Sequence, residues 1–356
     1  MRVLVINPGA TSTKIAVYEE EAELLRVSVD HSAAELQRFE RVADQMPYRK
    51  ALILDALKER DFDLHTLDAV CGRGGLFRHI PSGTYAVNDR AIEDILHPFY
   101  GEHAANLGAY IAKEIADPLG IPAFFVDPVC VDELNDLARV SGLKGMERES
   151  FFHALNQKSV ARKAAKTLGK PYEQLNLIVL HLGGGVSVAA HEKGFVIDNF
   201  NVKDDGAMGL DRPGALPVNA VVNLCFSGKT KQEIKKLISS EAGVYSYLGT
   251  KDFREIERRA LSGDEPEATR IFKALAYQLS KDAGAMAAVL KFKVDAIVYT
   301  GGMAYSKAFC DELDQYLKPL APVLYFPGEE EMKSLADGAL RVLHGEPARA
   351  YMGENK

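Results

Sequence analysis

The sequence predicts an α/β protein of two related lobes, and three segments carry that prediction. Residues 3–18, Val-Leu-Val-Ile-Asn-Pro-Gly-Ala-Thr-Ser-Thr-Lys-Ile-Ala-Val-Tyr, run from an apolar strand through a small, polar, Gly-containing turn into a returning strand. Residues 177–191, Leu-Ile-Val-Leu-His-Leu-Gly-Gly-Gly-Val-Ser-Val-Ala-Ala-His, repeat the design in the other half of the chain. Residues 295–306, Asp-Ala-Ile-Val-Tyr-Thr-Gly-Gly-Met-Ala-Tyr-Ser, form an apolar strand ending in a Gly pair, with a helix expected from about Ser306. A strand end opening onto a helix is where an α/β sheet tends to place a nucleotide.

In the first hairpin, Val3 to Ile6 supplies a rigid base. The turn Asn7 to Ser12 then offers backbone N–H groups, the Asn7 amide and the hydroxyls of Thr11 and Ser12, with Gly9 adding no bulk to keep an anion away. Lys14 follows as a cation on the returning strand. An ordinary hairpin with a polar turn has the same appearance, and the second hairpin favours the phosphate-binding reading. There Gly183, Gly184 and Gly185 are expected to take positive φ and bring the backbone close to a phosphate chain that a Cβ would obstruct. A tight turn with no ligand is the plainer alternative.

The remaining elements follow in order. A further strand is expected over Leu24 to Val29, an amphipathic helix from about Ser32 and another over 47–60. Ala69-Val-Cys leads into the Gly-rich loop Gly72-Arg-Gly-Gly-Leu-Phe-Arg. Helices are expected over 102–116 and 131–140, with the strand Ala123 to Val126 between them and Asp127 at its carboxyl end. The second half opens near Glu149 with a helix carrying Phe152, His153, Lys158, Arg162 and Lys163. A long polar loop spans Asn199 to Gly214, helices dominate from 217 to 292, and the strand Val323 to Phe326 precedes Pro327-Gly-Glu-Glu-Glu and a last helix from about Met332 to Leu343. No low-complexity linker separates the halves, which predicts a cleft between tightly joined lobes.

At 356 residues the chain can bury two full cores, and 47% hydrophobic with 26% charged residues is ordinary for a globular protein. A net charge of −7 argues against non-specific nucleic-acid binding, which needs a basic surplus. Cys71, Cys130, Cys225 and Cys310 lie far apart, without metal spacing and in apolar or helical contexts, so they read as reduced core thiols. With no basic-then-apolar leader and no apolar run of about 18 residues, the expectation is a cytoplasmic protein without a membrane segment.

Ser227-Gly228-Lys229-Thr230 imitates the end of a P-loop, but Asn223 stands where its first glycine belongs and the sequence before it is helical. No GxGxxG opens a helix after a strand, so a dinucleotide-binding dehydrogenase has no support. Phosphoryl transfer needs a phosphate cradle, a divalent metal on oxygen ligands and cations where charge accumulates. Arg73 and Arg212 each sit in a small-residue loop from which a guanidinium can grip a phosphate or carboxylate with two parallel bonds; a solvated surface charge is the alternative. Asp127 and Glu330 suit Mg²⁺ coordination through water, although Glu329-Glu330-Glu331 also suits a helix amino terminus.

Taken in order, the two hairpins, Gly72-Arg-Gly-Gly, Asp127-Pro, Phe152-His153, Asp211-Arg-Pro-Gly and Thr300-Gly-Gly-Met resemble the acetokinase family from end to end. Asn-Pro-Gly-Ala-Thr-Ser-Thr-Lys, with Ala10, and Pro-Gly-Glu-Glu-Glu-Met look like its butyrate kinase branch. The resemblance implies the actin-like fold of two ribonuclease H-like lobes: an amino-terminal acid-kinase lobe, 1–148 completed by 335–356, and a nucleotide-binding lobe, 149–334. It also implies reversible ATP-dependent phosphorylation of a short carboxylic acid to an acyl phosphate, with Mg²⁺, in a homodimer or larger assembly.

By the family's motif positions, Asn7 would lie by the metal and phosphates, together with Gly9, Thr11, Ser12 and Lys14. Arg73 and Arg212 would grip the carboxylate and the moving phosphoryl, His153 would hydrogen-bond that phosphoryl, Asp127 would position the metal or an Arg, and Glu330 would hold Mg²⁺ through water. Gly183 to Gly185, with His181, would cradle the nucleotide phosphates, and Gly301, Gly302 and Met303 would border the adenosine. Gly75 would leave room for a propyl or branched tail, with Phe152 as another wall. Acetate, propionate or branched-chain acid kinases on the same scaffold are the near alternatives, and an actin-like nucleotide switch is a different class.

Overall fold

The structure, a computed structural model, describes residues 1–352, so residues 353–356 of the expected amino-terminal lobe lie outside it. The strands are β1 (Arg2–Pro8), β2 (Ser12–Glu19), β3 (Ala22–Asp30), β4 (Ala69–Arg73), β5 (Thr84–Ala86), β6 (Ala123–Val126), β7 (Asn176–Leu182), β8 (Val186–Glu192), β9 (Phe195–Asn199), β10 (Ala296–Gly301), β11 (Val323–Pro327) and β12 (Arg349–Ala350). They form two sheets, and the chain divides into two compact units, Met1–Asp132 with Glu330–Lys356 and Glu133–Glu329.

In the first unit the sheet order is β12-β5-β6-β4-β1-β2-β3. β1 is antiparallel to β2 and parallel to β4, and β4 is parallel to β6. Val3, Leu4, Val5 and Ile6 are all fully buried, as a strand covered on both faces requires, whereas β3 alternates between half-buried and exposed residues at the sheet edge. The helices Leu107–Ala116 and Glu331–Leu343 pack against this sheet.

The second unit repeats the pattern. Its order is β11-β10-β7-β8-β9, with β7 antiparallel to β8 and parallel to β10, and β10 parallel to β11. Helix Pro266–Val289 buries Ile271, Phe272, Leu275, Leu279, Ala283 and Met286, a three-and-four spacing that makes one apolar stripe against a sheet face. Helix Ala154–Leu168 covers the other face through Val160, Ala161, Ala164 and Ala165.

Several expectations change. The helix after Ser32 is only Ala33–Leu36: a capping box between Ser32 and Glu35 starts it, but it buries no residue and so has no packed face to prolong it. Over 131–140 only Asp136–Arg139 is helical, and in 102–116 the α-helix starts at Leu107 after a 3₁₀ turn at Ala104–Asn106. His153 is the N-cap of helix Ala154–Leu168, so Phe152 and His153 precede the helix and do not ride on it. Cys225 is exposed, unlike the other three cysteines, because helix Val218–Cys225 buries none of its residues. No helix among the described residues is long and apolar enough to cross a membrane.

Candidate functional site

In the first unit, Asn7 is the penultimate residue of β1 and Arg73 ends the parallel β4, so the sheet brings both to the carboxyl ends of adjacent strands. They meet at Glu331, the first residue of helix Glu331–Leu343. The Arg73 guanidinium donates from Nη1 to Glu331 Oε2 (3.0 Å) and lies 2.8 Å from Oε1 through Nη2, a bidentate pair. Asn7 Nδ2 donates to Glu331 Oε2 (2.8 Å), and Asn7 Oδ1 accepts from Arg73 Nη1 (3.2 Å). The carboxylate bonded to Asn7 is therefore Glu331, whereas Glu330 is the helix N-cap, its carbonyl accepting from the Ser334 amide and hydroxyl.

Asp127 follows β6, which pairs Val126 with Arg73, but its contacts run elsewhere. Its Oδ1 accepts from Ser82 Oγ and from the Gly83 amide, each at 2.7 Å, and its φ of 37° is unusual for a residue with a Cβ. Two bonds to one oxygen hold this strained strand end in place.

A residue that belongs to no sequence motif shapes the first hairpin. Arg49, on helix Met46–Lys58 and 1% exposed, donates from Nη1 to the Gly9 carbonyl (2.9 Å) and Thr13 Oγ1 (3.1 Å) and from Nη2 to the Ala10 carbonyl (3.2 Å). Gln45 Oε1 takes Nε (3.1 Å) and Nη2 (2.9 Å). A peptide's C=O and N–H point oppositely, so drawing these carbonyls to Arg49 turns the amides of Ala10 and Thr11 the other way. That is how the turn comes to present donors. Burial lowers the Arg49 pKa from its usual value. The only sequence signal was an Arg among the apolar positions of a helix. Lys14 stands opposite Asn7 in the hairpin register and is exposed. Ser12 opens β2, its carbonyl accepting from Gly9, and the Thr11 carbonyl accepts from His31.

In the second unit, Gly183 to Gly185 link β7 and β8. None takes positive φ, contrary to expectation; Gly183 and Gly185 are crowded by side chains, whereas a Cβ on Gly184 would meet open space. A Cβ on Gly185 would sit 2.9 Å from Arg212 Nη1 and 3.6 Å from His153 Nε2, so the two cationic or donor groups converge on this turn. Helix Gly243–Leu248 anchors the Arg212 loop: Val244 and Tyr245 donate to the carbonyls of Gly209 and Leu210, and the Leu210 amide donates to Gly184. The His153 and His181 rings stack at 3.7 Å and 13°. His181 Nδ1 lies 2.8 Å from Asn156 Oδ1 and its Nε2 3.1 Å from Glu329 Oε1, so oxygen acceptors bracket the ring. Gly301 ends β10 at φ 87° against the Leu182 backbone, Gly302 faces open space, and Met303 is buried in the core.

Two proposed acyl-pocket walls are corrected. A Cβ on Gly75 would lie 2.0 Å from Asn106 Oδ1 and 2.6 Å from the Asn106 backbone nitrogen, so the space beside this glycine is filled by protein. Asn106 Oδ1 accepts there from the Leu76 amide (2.8 Å). Phe152 is fully buried and has no exposed face to offer an acyl group. Gly75→Val is accordingly expected to destabilise the fold by about 1–3 kcal/mol or more through overpacking, leaving the ranking of acids unchanged. Urea unfolding beside an acid panel checks it, and an intact fold with a shifted ranking would restore the pocket reading.

Comparison with known proteins decides the family. The acetokinase family pattern matches residues 143–320, half of the chain. The chain belongs to the acetokinase family. This membership makes it a phosphotransferase with a carboxyl acceptor. Its fold is that of an acetate kinase from Porphyromonas gingivalis: TM-score 0.79, 22% identity, covering 96% of this chain and 99% of that one. A propionate kinase from Francisella tularensis subsp. tularensis SCHU S4 gives 0.76 at 18% identity, covering 95% and 98%. An acetate kinase from Entamoeba histolytica gives 0.77 at 14%, covering 96% and 99%. The acetokinase chain thus has the expected actin-like architecture, two sheets flanked by helices.

Proposed function

We propose that this acetokinase is a butyrate kinase, transferring the γ-phosphoryl of ATP directly and reversibly to butyrate. The observation that carries the phosphoryl-transfer reading is the convergence of Arg212 and His153 on the Gly183 to Gly185 turn. Butyrate is favoured by Ala10 and by Pro327-Gly-Glu-Glu-Glu-Met, the two segments most like that branch. A carboxylate is deprotonated at neutral pH, so no general base is required, and catalysis reduces to alignment and charge neutralisation.

In this reading the hairpin turn, through Gly9, Thr11, Ser12 and Lys14, and the turn Gly183 to Gly185 with His181 contact phosphates. Gly301, Gly302 and the Met303 backbone border the adenosine. Arg73 grips the acceptor carboxylate, Arg212 the moving phosphoryl, and His153 donates a hydrogen bond to it. Asp127 acts through the Ser82–Gly83 loop it holds.

The family implies Mg²⁺. The amide oxygen of Asn7 and the Glu331 carboxylate beside it fit an ion that keeps much of its water and takes phosphate oxygens. Among the described residues no group of three or more His, Cys, Asp or Glu side chains is placed to hold a metal. Asn7 and Glu331 would hold the ion, with Glu330 reaching it through water, and when bound it would neutralise phosphate charge. The family resemblance also supports a cytoplasmic homodimer or larger assembly.

The deciding experiment is an ATP-dependent acyl-hydroxamate assay over acetate, propionate, butyrate, isobutyrate and valerate. Butyrate is expected to give the highest kcat/KM, with neighbours within about tenfold, since one buried methylene contributes about 0.8 kcal/mol. Preference for acetate or propionate would move the protein to another branch. Activity with none of the five would remove the acid-kinase reading in favour of a nucleotide switch.

A further inference from the structure

A buried chain of hydrogen bonds ends on His153. Tyr172 Oη lies 2.7 Å from His191 Nδ1, and His191 Nε2 lies 3.0 Å from Gln157 Oε1. Gln157 Nε2 donates to the Ser187 carbonyl (3.2 Å) and to Ser187 Oγ (2.8 Å). Ser187 Oγ lies 2.9 Å from His153 Nδ1. Gln157 and His191 are fully buried, and Ser187 and Tyr172 nearly so.

The protons in this chain can be ordered in one way. The Ser187 carbonyl only accepts, so it fixes which end of the Gln157 amide faces it and turns Oε1 to His191. His191 Nε2 therefore carries a proton, and its Nδ1 accepts from the Tyr172 hydroxyl. Neutral His191 agrees with its burial, and with Lys158 and Arg162 nearby, which together hold its pKa well below the usual value. At Ser187 Oγ the lone pairs face the Gln157 N–H and, at 3.4 Å, the His153 backbone N–H. The hydroxyl proton has one acceptor among the described residues, His153 Nδ1. The ring of His153 then bears its proton on Nε2, the nitrogen that faces Gly185 and the Arg212 side chain.

We propose that Gln157 and Ser187 are positioning residues that hold His153 as the neutral Nε2–H tautomer, able to donate one hydrogen bond to a phosphoryl oxygen but unable to take up a phosphoryl group at that nitrogen. This rests on the phosphoryl-transfer reading above. It explains in addition why a histidine at the reacting group serves direct transfer and forms no phosphoenzyme. Among the charged or titratable groups near the ring are His181, stacked on it, and Arg212, and Glu329 is paired with His181.

The test is ¹⁵N NMR of the histidine rings in the full chain without ligand, with His153 assigned through His153→Asn. The wild type is expected to show His153 protonated on Nε2 and unprotonated on Nδ1 at neutral pH. Ser187→Ala should give a tautomer mixture and raise the pH at which the ring takes a second proton. Ser187→Thr, which keeps the hydroxyl, should restore both. In the kinase assay Ser187→Ala should lower kcat about tenfold with KM for ATP and acid within twofold, and move the acid limb of the pH profile upward.

A wild-type His153 protonated on Nδ1, or a Ser187→Ala ring indistinguishable from wild type, would overturn the proposal. Should Ser187→Ala not fold, the wild-type tautomer alone decides. Kinase activity with the wrong tautomer removes only this inference, whereas the expected tautomer in a protein without kinase activity removes the function and leaves the relay.

Discussion

Arg73→Ala and Arg212→Ala are each expected to lower kcat by about 10³-fold or more, the range by which a supplied arginine accelerates phosphoryl transfer elsewhere. The two act from different surroundings. Arg73 is paired in parallel fashion with Glu331 and touches Asn7, so its planar fork is already ordered for an oxyanion pair. Arg212 is held by its backbone, through Gly209, Leu210 and helix Gly243–Leu248, with its head group against Gly185. Lysine offers a point charge in place of a fork, so Arg73→Lys should recover little of the loss. Steady-state hydroxamate kinetics on the folded variants measure the effect. Near-normal turnover in both alanine variants would remove the arginines from the reaction.

The second large effect is expected at Arg49, away from any reacting group. Arg49→Ala strips partners from the carbonyls of Gly9 and Ala10, from Thr13 Oγ1 and from Gln45 Oε1. Leaving a buried acceptor unpaired costs about 1–3 kcal/mol, and water entering the vacated space offsets part of the sum, so a net loss of about 3 kcal/mol is expected. The turn would also lose what orients its amides, and KM for ATP should rise. A urea midpoint and a KM both equal to wild type would show that the turn holds its shape without the guanidinium.

The sequence announced the parts of this protein whose signal is local. Both hairpins and the strands at 123–126 and 295–300 are apolar runs ending at a turn, and the hairpin recurs once in each sheet as one repeated design. Short elements were missed. β5 has three residues and β12 two, too few for a period to register. β9 did carry a readable mark, since Lys193 (φ 50°) and Gly194 (φ 92°) form a two-residue hairpin turn with both φ positive. Helix Asp89–Leu96 was also missed, although its cap, Asn88, which accepts from the Ala91 amide, was a readable mark.

Within the site, residue types were legible and partnerships were not. Nothing in Glu329-Glu330-Glu331 says that the third carboxylate bonds Arg73, because partner choice depends on where the helix begins relative to β1 and β4. Gly75 misled for a related reason: a missing side chain reads as space, yet the neighbouring Asn106 backbone had already filled it. Glycine in a sequence marks close approach without naming what approaches.

The crossing of the chain from the second unit back to the first has a thermodynamic consequence. Glu329 is bonded to His181, Glu331 to Arg73 and Asn7, and the unit boundary falls between Glu329 and Glu330. Three consecutive residues thus carry a bond to a histidine at one end and bonds to an arginine and an asparagine at the other, joined by covalent geometry alone. Substitutions at the two glutamates are not independent perturbations, and their effects should fail to sum. A double-mutant cycle across this short segment reads the coupling between Glu329 and Glu331 as a free energy.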